Sequence, residues 1–104
     1  MKAETLKGHL DSLILAIVAS GPTHGYAIIE ELKQRSGGAF TLPEGTVYPV
    51  LHRLERAGLL ASSWSDAAGR RRRVYRLTRS GKRELGLRRN EWRAFSNAVE
   101  AVLA

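Results

Sequence analysis

The fold of this chain follows from the stretch Gly45 to Leu59, which reads GTVYPVLHRLERAGL. Apolar residues recur within it at spacings of three and four, which predicts a helix with one buried stripe. A proline deep inside a helix costs roughly 3 kcal/mol, but in the first turn its missing N–H would be unpaired anyway. We therefore expect this helix, the third of the chain, to begin near residues 44–46, with Pro49 in or just after its first turn. Its predicted buried stripe consists of Val47, Val50, Leu51 and Leu54.

Two helices are predicted before this stretch. Residues 6–19 carry apolar side chains at helical spacing, and Gly21 and Pro22 end that helix. Thr23 is expected to cap a second helix that runs over about residues 24–36.

A β-hairpin is predicted after the third helix. Residues 59–65 and 72–78 read as two short strands, and the sequence Asp-Ala-Ala-Gly at 66–69 is typical of a turn. Trp64 is expected to pack within this hairpin, and the turn leads directly into four consecutive arginines.

The last predicted helix is capped by Thr78 and runs to the carboxyl terminus. Leu85, Trp92 and Val99 recur in it every seven residues, as they do between paired helices, although Arg88 interrupts the pattern. We expect this helix to need a partner for stability.

Charge is concentrated in one segment. The 104 residues have a net charge of +7, and residues 70–93 alone carry +9, so the rest of the chain is slightly acidic. Such asymmetry favours a polyanionic partner, either nucleic acid or an anionic membrane face, although a solvated basic surface is the alternative.

Several classes of protein are disfavoured by composition. The chain has no cysteine, which excludes disulfide scaffolds and thiol catalysis, and its longest apolar run, Leu13 to Ala19, is too short to span a bilayer. We expect no enzyme, because there is no glycine-rich phosphate loop and no serine–histidine signature. We expect no secretory signal, because the first residues mix basic with acidic side chains and contain no cleavage-type stretch. The three histidines lack ligand spacing, so we expect no metal and no cofactor.

The order helix, helix, helix, hairpin, helix predicts a winged helix-turn-helix, mainly α with a small β-hairpin. The third helix would be the recognition helix and the hairpin the wing. Residues 1–78 would form the DNA-binding domain and residues 79–104 a C-terminal dimerisation helix, together one compact unit. The alternative is a basic RNA-binding or membrane-surface module without operator specificity. RNA-binding modules usually stack bases on aromatic side chains of an exposed sheet, and the two predicted strands have few aromatic residues. A membrane-surface helix would need a strong apolar face opposite its charges.

The sequence resembles the PadR family of bacterial transcriptional regulators in three blocks. They are His24-Gly25-Tyr26, the stretch 45–59, and residues 69–78 together with Gly81. The resemblance covers nearly the whole chain, and the short last helix is similar to that of the compact subgroup. The four arginines at the wing tip depart from the family, where proline or lysine is often mixed with arginine.

The resemblance implies a cytoplasmic, nucleoid-associated homodimer that binds a palindromic operator in double-stranded DNA and represses a neighbouring gene. Arg53 is a candidate for reading a guanine, whereas Tyr48 and Tyr26 could instead be packing residues. The predicted DNA-binding residues are Tyr26, Thr46, Tyr48, Pro49, His52, Arg53, Arg70, Arg71, Arg72 and Arg73.

The resemblance also implies release from DNA by a small planar aromatic ligand held against Trp92 at the dimer interface. Ser96 stands where an acidic residue would attract a cationic drug, so a neutral flat ligand is expected. The alternative is that Trp92 serves only as part of the dimer core and binds no ligand. The residues predicted at this interface are Leu10, Ile14, Leu85, Trp92, Phe95, Ser96 and Val99.

Overall fold

The computed structural model of the chain describes residues 3–6 and 8–104 and, from residue 5 onward, their side chains. Its regular elements, in chain order, are α1 Ala3–Leu6, α2 Leu10–Ala19, β1 Thr23–His24, α3 Gly25–Arg35, α4 Glu44–Arg56, β2 Leu60–Ser65, β3 Arg72–Leu77 and α5 Arg79–Leu103. The fold class predicted from the sequence, mainly helical with a small β-sheet, is confirmed.

The first predicted helix is interrupted in the structure. The expectation of one helix over residues 6–19 was wrong at its amino-terminal end, because α1 ends at Leu6 and α2 begins at Leu10. Gly8 between them has a φ of +85°, a left-handed conformation that an α-helix cannot contain. Residue 7 of the predicted helix lies outside the described residues. Helix α2 buries Ile14, Leu15, Ile17 and Val18.

The sheet has a third strand that the sequence did not predict. Thr23 and His24 pair antiparallel with Tyr75 and Val74, which gives the strand order β1-β3-β2. Consequently α3 begins at Gly25, and its cap is His24 rather than the expected Thr23. The Nδ1 atom of His24 accepts a hydrogen bond from the backbone N–H of Ala27 at 3.3 Å.

Helix α4 and the hairpin agree with the sequence. The stripe of Val47, Val50, Leu51 and Leu54 is buried as predicted, and Pro49 follows the first turn of α4. Strands β2 and β3 pair in register from Leu60 opposite Leu77 to Ser65 opposite Arg72. The core extends from α2, α3 and α4 onto the base of this hairpin through Leu60 and Tyr75.

Helix α5 begins against the core and then leaves it. The hydroxyl of Thr78 accepts a hydrogen bond from the N–H of Gly81 at 2.9 Å, as the capping prediction required. Leu85 is buried, whereas large apolar side chains farther along the helix, such as Phe95 and Val102, are exposed. None of the helices within residues 3–6 and 8–104 is long and apolar enough to cross a membrane.

Candidate nucleic-acid interface

Helix α4 presents a polar face opposite its buried stripe. Thr46, Pro49, Arg53 and Arg56 follow one another at spacings of three and four, and all are exposed, as is His52 beside them. The buried stripe anchors α4 to the core, so this outer face stays free for a ligand.

Arg53 on this face is held by another helix. Its guanidinium donates a hydrogen bond to the carboxylate of Asp11 on α2, and the Arg53 side chain is 55% exposed. Arg88 of α5 approaches the other oxygen of the same carboxylate at 4.0 Å. Asp11 therefore links three helices, and a DNA base or phosphate would have to compete with it for Arg53. The sequence did not single out this role, because the partners are far apart along the chain.

Tyr48 lies at the junction between α4 and the start of α3. Its side chain is half-buried, and a Cβ atom built on Gly25 would lie 2.5 Å from the Tyr48 hydroxyl oxygen. Glycine at position 25 is therefore what lets the phenol ring lie against α3. Tyr26, the next residue, is 61% exposed and points away from the core.

The four wing arginines have different surroundings. Arg70 and Arg71 are exposed, whereas Arg72 and Arg73 are partly buried. The Nη1 atom of Arg72 lies 2.8 Å from Nε2 of His24. Successive residues of a strand point to opposite faces, so Arg73 lies on the other side of the hairpin.

Arg73 is tied to both the wing and α4. Its Nε donates to Oγ of Ser62 at 2.9 Å, and its Nη2 lies 3.7 Å from a carboxylate oxygen of Glu55. The Ser62 hydroxyl in turn donates to Glu55. Glu55 also lines an open groove along α4 with His52 and Arg56. The inner face of the wing thus borders the exposed face of α4.

Trp64 stands on this inner face near the wing tip. The Cζ atoms of Arg71 and Arg73 lie 4.7 Å and 5.2 Å from the centre of its ring, within the roughly 6 Å at which a cation is attracted to an aromatic face. The sequence predicted packing for Trp64. The structure shows packing against guanidinium groups, with 55% of the side chain exposed.

His24 joins the wing to the start of α3. Burial lowers the pKa of its imidazole, and the positive charges of Arg72 and then Arg70 lower that pKa further. These causes favour the neutral ring, which can accept the hydrogen bond that caps α3. The sequence marked His24 only as part of a family block.

The residues predicted at the dimer and ligand interface separate into two groups. Ile14 has no exposed surface and Leu85 only 3%, so their assignment to the interface was wrong: both belong to the chain's own core. Leu10, Ser96 and Val99 are half-buried, and Trp92 and Phe95 are exposed.

An aromatic cluster surrounds Trp92. The imidazole of His9 meets the Trp92 ring edge-on, with 5.4 Å between ring centres, and the centre of the Phe95 ring lies 6.2 Å from that of Trp92. His9 was not among the predicted residues, because no periodic pattern connects it with α5.

Helices α2, α3 and α4 and the sheet together present one exposed helix face beside a basic hairpin. This arrangement defines a winged helix-turn-helix, a class of DNA-binding fold. Comparison with known proteins narrows this class. The chain belongs to the PadR-like family of transcriptional regulators, whose family model matches residues 14–87. Regulators of this family bind DNA and are not enzymes, as the sequence predicted.

Individual relatives agree with this assignment. The transcriptional regulator Rv3488 of Mycobacterium tuberculosis is 42% identical over 72 residues, which cover 69% of this chain and 64% of the relative. A PadR family transcription regulator from Clostridium difficile superposes with a TM-score of 0.85 at 34% identity, covering 93% of this chain and all of that one. PadR of Bacillus subtilis, solved in complex with operator DNA, gives a TM-score of 0.68 at 28% identity over 76% of this chain and 45% of its own.

Proposed function

We propose that the protein is a homodimeric repressor that binds a palindromic operator near its own gene, in the cytoplasm at the nucleoid. The observation that carries this proposal is the adjacency of the polar face of α4 and the basic wing, which Arg73, Ser62 and Glu55 connect. Helix α4 would enter the major groove, and the wing would lie on the flanking backbone.

Residues on both elements would make the contacts with DNA. From α4, Thr46, Pro49 and His52 would face base edges or phosphates. Tyr26, near the start of α3, and Tyr48 of α4 would add contacts with the DNA. Arg70 and Arg71 would contact phosphates from the wing. The relative from Bacillus subtilis was solved in complex with operator DNA, which supports DNA as the ligand of this fold.

The dimer would form through residues 79–104 and α2. Trp92 and Phe95 on α5 are exposed by 54% and 59%, and Val102 and Leu103 by still more. Exposed apolar surface of this extent on one helix is typical of an interface. Leu10 and Val99 would contribute their half-buried surfaces to the dimer interface. Two copies related by a two-fold axis would match the two half-sites of a palindrome.

A small planar aromatic ligand would regulate DNA binding at this interface. Trp92 offers an exposed ring next to His9 and Phe95, and aromatic faces bind flat molecules by stacking. Ser96 adds no negative charge, so the ligand class is neutral rather than cationic. If quenching of tryptophan fluorescence by planar aromatics is the same in Trp92→Ala, where only Trp64 remains, this ligand site does not exist.

The operator proposal is tested with the intergenic DNA beside the gene. We expect an inverted repeat with half-sites about one helical turn apart, and a gel shift with that duplex at ~0.15 M salt. A scrambled duplex, single-stranded RNA and anionic vesicles serve as competitors. Equal binding to RNA or vesicles would instead indicate the alternative module, and a stable monomer in ultracentrifugation at micromolar concentration would contradict the dimer.

A further inference from the structure

Trp64 is a large aromatic side chain placed where the wing extends beyond the core. It follows Ser62 on one face of β2, and its cross-strand partner is Arg73. Its ring contacts the guanidinium groups of both Arg71 and Arg73. Since Arg73 also approaches Glu55 of α4, this arrangement lies on the side of the wing that borders α4.

We propose that Trp64 is a positioning residue for DNA binding, whose indole holds the guanidinium group of Arg71 in the orientation that receives backbone phosphates. This inference rests on the wing contact proposed above and adds a residue to it. It concerns sequence-independent binding, because phosphates are the same in every duplex.

The chemistry of arginine makes stacking and phosphate binding compatible. A guanidinium group that stacks on an aromatic ring uses its flat face, while its N–H donors point outward along the edges and can bind a phosphate. Trp64 can therefore order Arg71 without occupying the donors that DNA needs.

The two arginines depend on Trp64 to different degrees. Arg73 is also held by Ser62 and Glu55. Arg71 is exposed, and within the described part of the chain its guanidinium group contacts only the indole of Trp64. A long side chain that is already ordered loses less conformational entropy on binding, so removal of the ring should affect Arg71 most.

The first experiment measures affinity for a short random-sequence duplex by fluorescence anisotropy at several salt concentrations. Trp64→Leu keeps an apolar side chain but removes the aromatic face, and we expect binding about three- to tenfold weaker. Trp64→Phe keeps an aromatic face and should retain most of the affinity. Ser63→Ala, on the opposite face of the same strand, is the matched control and should bind as the unmodified protein does. Unchanged binding by Trp64→Leu, or equal losses for the leucine and phenylalanine variants, would overturn the proposal.

A double-mutant cycle separates this inference from the wing contact itself. Arg71→Ala should weaken binding more in the unmodified protein than in Trp64→Leu, because the ring is what prepares Arg71. Additive losses would overturn the role of Trp64 while leaving the wing contact intact. No loss from Arg71→Ala in the unmodified protein would refute the contact of Arg71 with DNA, and the role of Trp64 with it.

Nuclear magnetic resonance of the free protein tests the arrangement without DNA. The δ-methylene protons of Arg71 should show an upfield ring-current shift that disappears in Trp64→Leu. Circular dichroism and the melting temperature should be close to those of the unmodified protein, since the ring is exposed. An absent shift in the unmodified protein would overturn the proposal.

Discussion

The carboxylate of Asp11 on α2 accepts a hydrogen bond from the guanidinium of Arg53 on α4, although the two residues are 42 positions apart in the sequence. Arg88 of α5 reaches the same carboxylate at 4.0 Å. One acidic side chain thus connects the candidate recognition helix to the helix that leaves the core. Such a connection aligns α4 relative to α5.

Replacing Asp11 by asparagine should lower the free energy of unfolding by about 1 kcal/mol, because Arg53 loses its ion-pair partner and the Asp11 side chain is only 23% exposed. Arg88 keeps its closer pair with Glu84 at 2.9 Å and loses only a second, more distant contact. Urea denaturation measures this loss. Glu31→Gln is the control, since the exposed Glu31–Arg35 pair within α3 should contribute less than about 0.5 kcal/mol. Equal losses in the two variants would refute the linking role of Asp11.

Two glycines of α5 should respond to alanine with opposite signs. A Cβ at Gly81 would lie 2.1 Å from the carbonyl oxygen of Leu59, so Gly81→Ala must displace backbone and should cost about 1–3 kcal/mol. Among the described residues, no atom outside the adjacent helix backbone lies within 4 Å of a Cβ at Gly86, and Gly86→Ala should stabilise the helix by about 0.5–1 kcal/mol. Thermal denaturation of both variants tests this, and shifts of the same sign would contradict the packing of α5 on Leu59.

Stability should depend on pH through His24. The pKa of this imidazole is lowered from its usual value of 6.5, so below that value the unfolded chain binds a proton more readily than the folded one. The stabilising contribution is therefore complete above pH 6.5 and declines as the pH falls below it toward the folded-state pKa.

His24→Asn tests this dependence because asparagine can also cap α3 but does not titrate. The variant should lose less stability than the unmodified protein between neutral and mildly acidic pH, as measured by urea denaturation. Identical pH profiles would show that His24 does not cause the dependence.

Removal of the exposed wing arginines should reduce the salt dependence of DNA binding. The double variant Arg70→Ala/Arg71→Ala should lower the slope of log affinity against log salt by about 0.9 for each phosphate that the wing no longer neutralises. The fold should persist, because both side chains are exposed. Lys33→Ala, near the end of α3, removes a positive charge outside the wing and should leave the slope unchanged. A slope that stays the same in the double variant would place the wing away from the DNA.

Local pattern in the sequence was enough to predict several elements of the fold. The apolar stripe of α4, the hairpin turn and the Thr78 cap all involve residues within a few positions of one another, and the structure has each of them. The two-residue strand at Thr23 was not predictable, because two residues carry no alternation and the partner, β3, lies about fifty positions away.

Which side chains are available for binding depends instead on how the elements pack in three dimensions. Periodicity marked Ile14 and Leu85 as apolar stripe residues, but it cannot distinguish a chain's own core from an interface with another chain. Arg72 and Arg73 have identical chemistry but different surroundings, because alternation along β3 directs Arg72 toward His24 and Arg73 toward Trp64. The pairing of Arg53 with Asp11 likewise depends on how α2 and α4 pack, which no local pattern encodes.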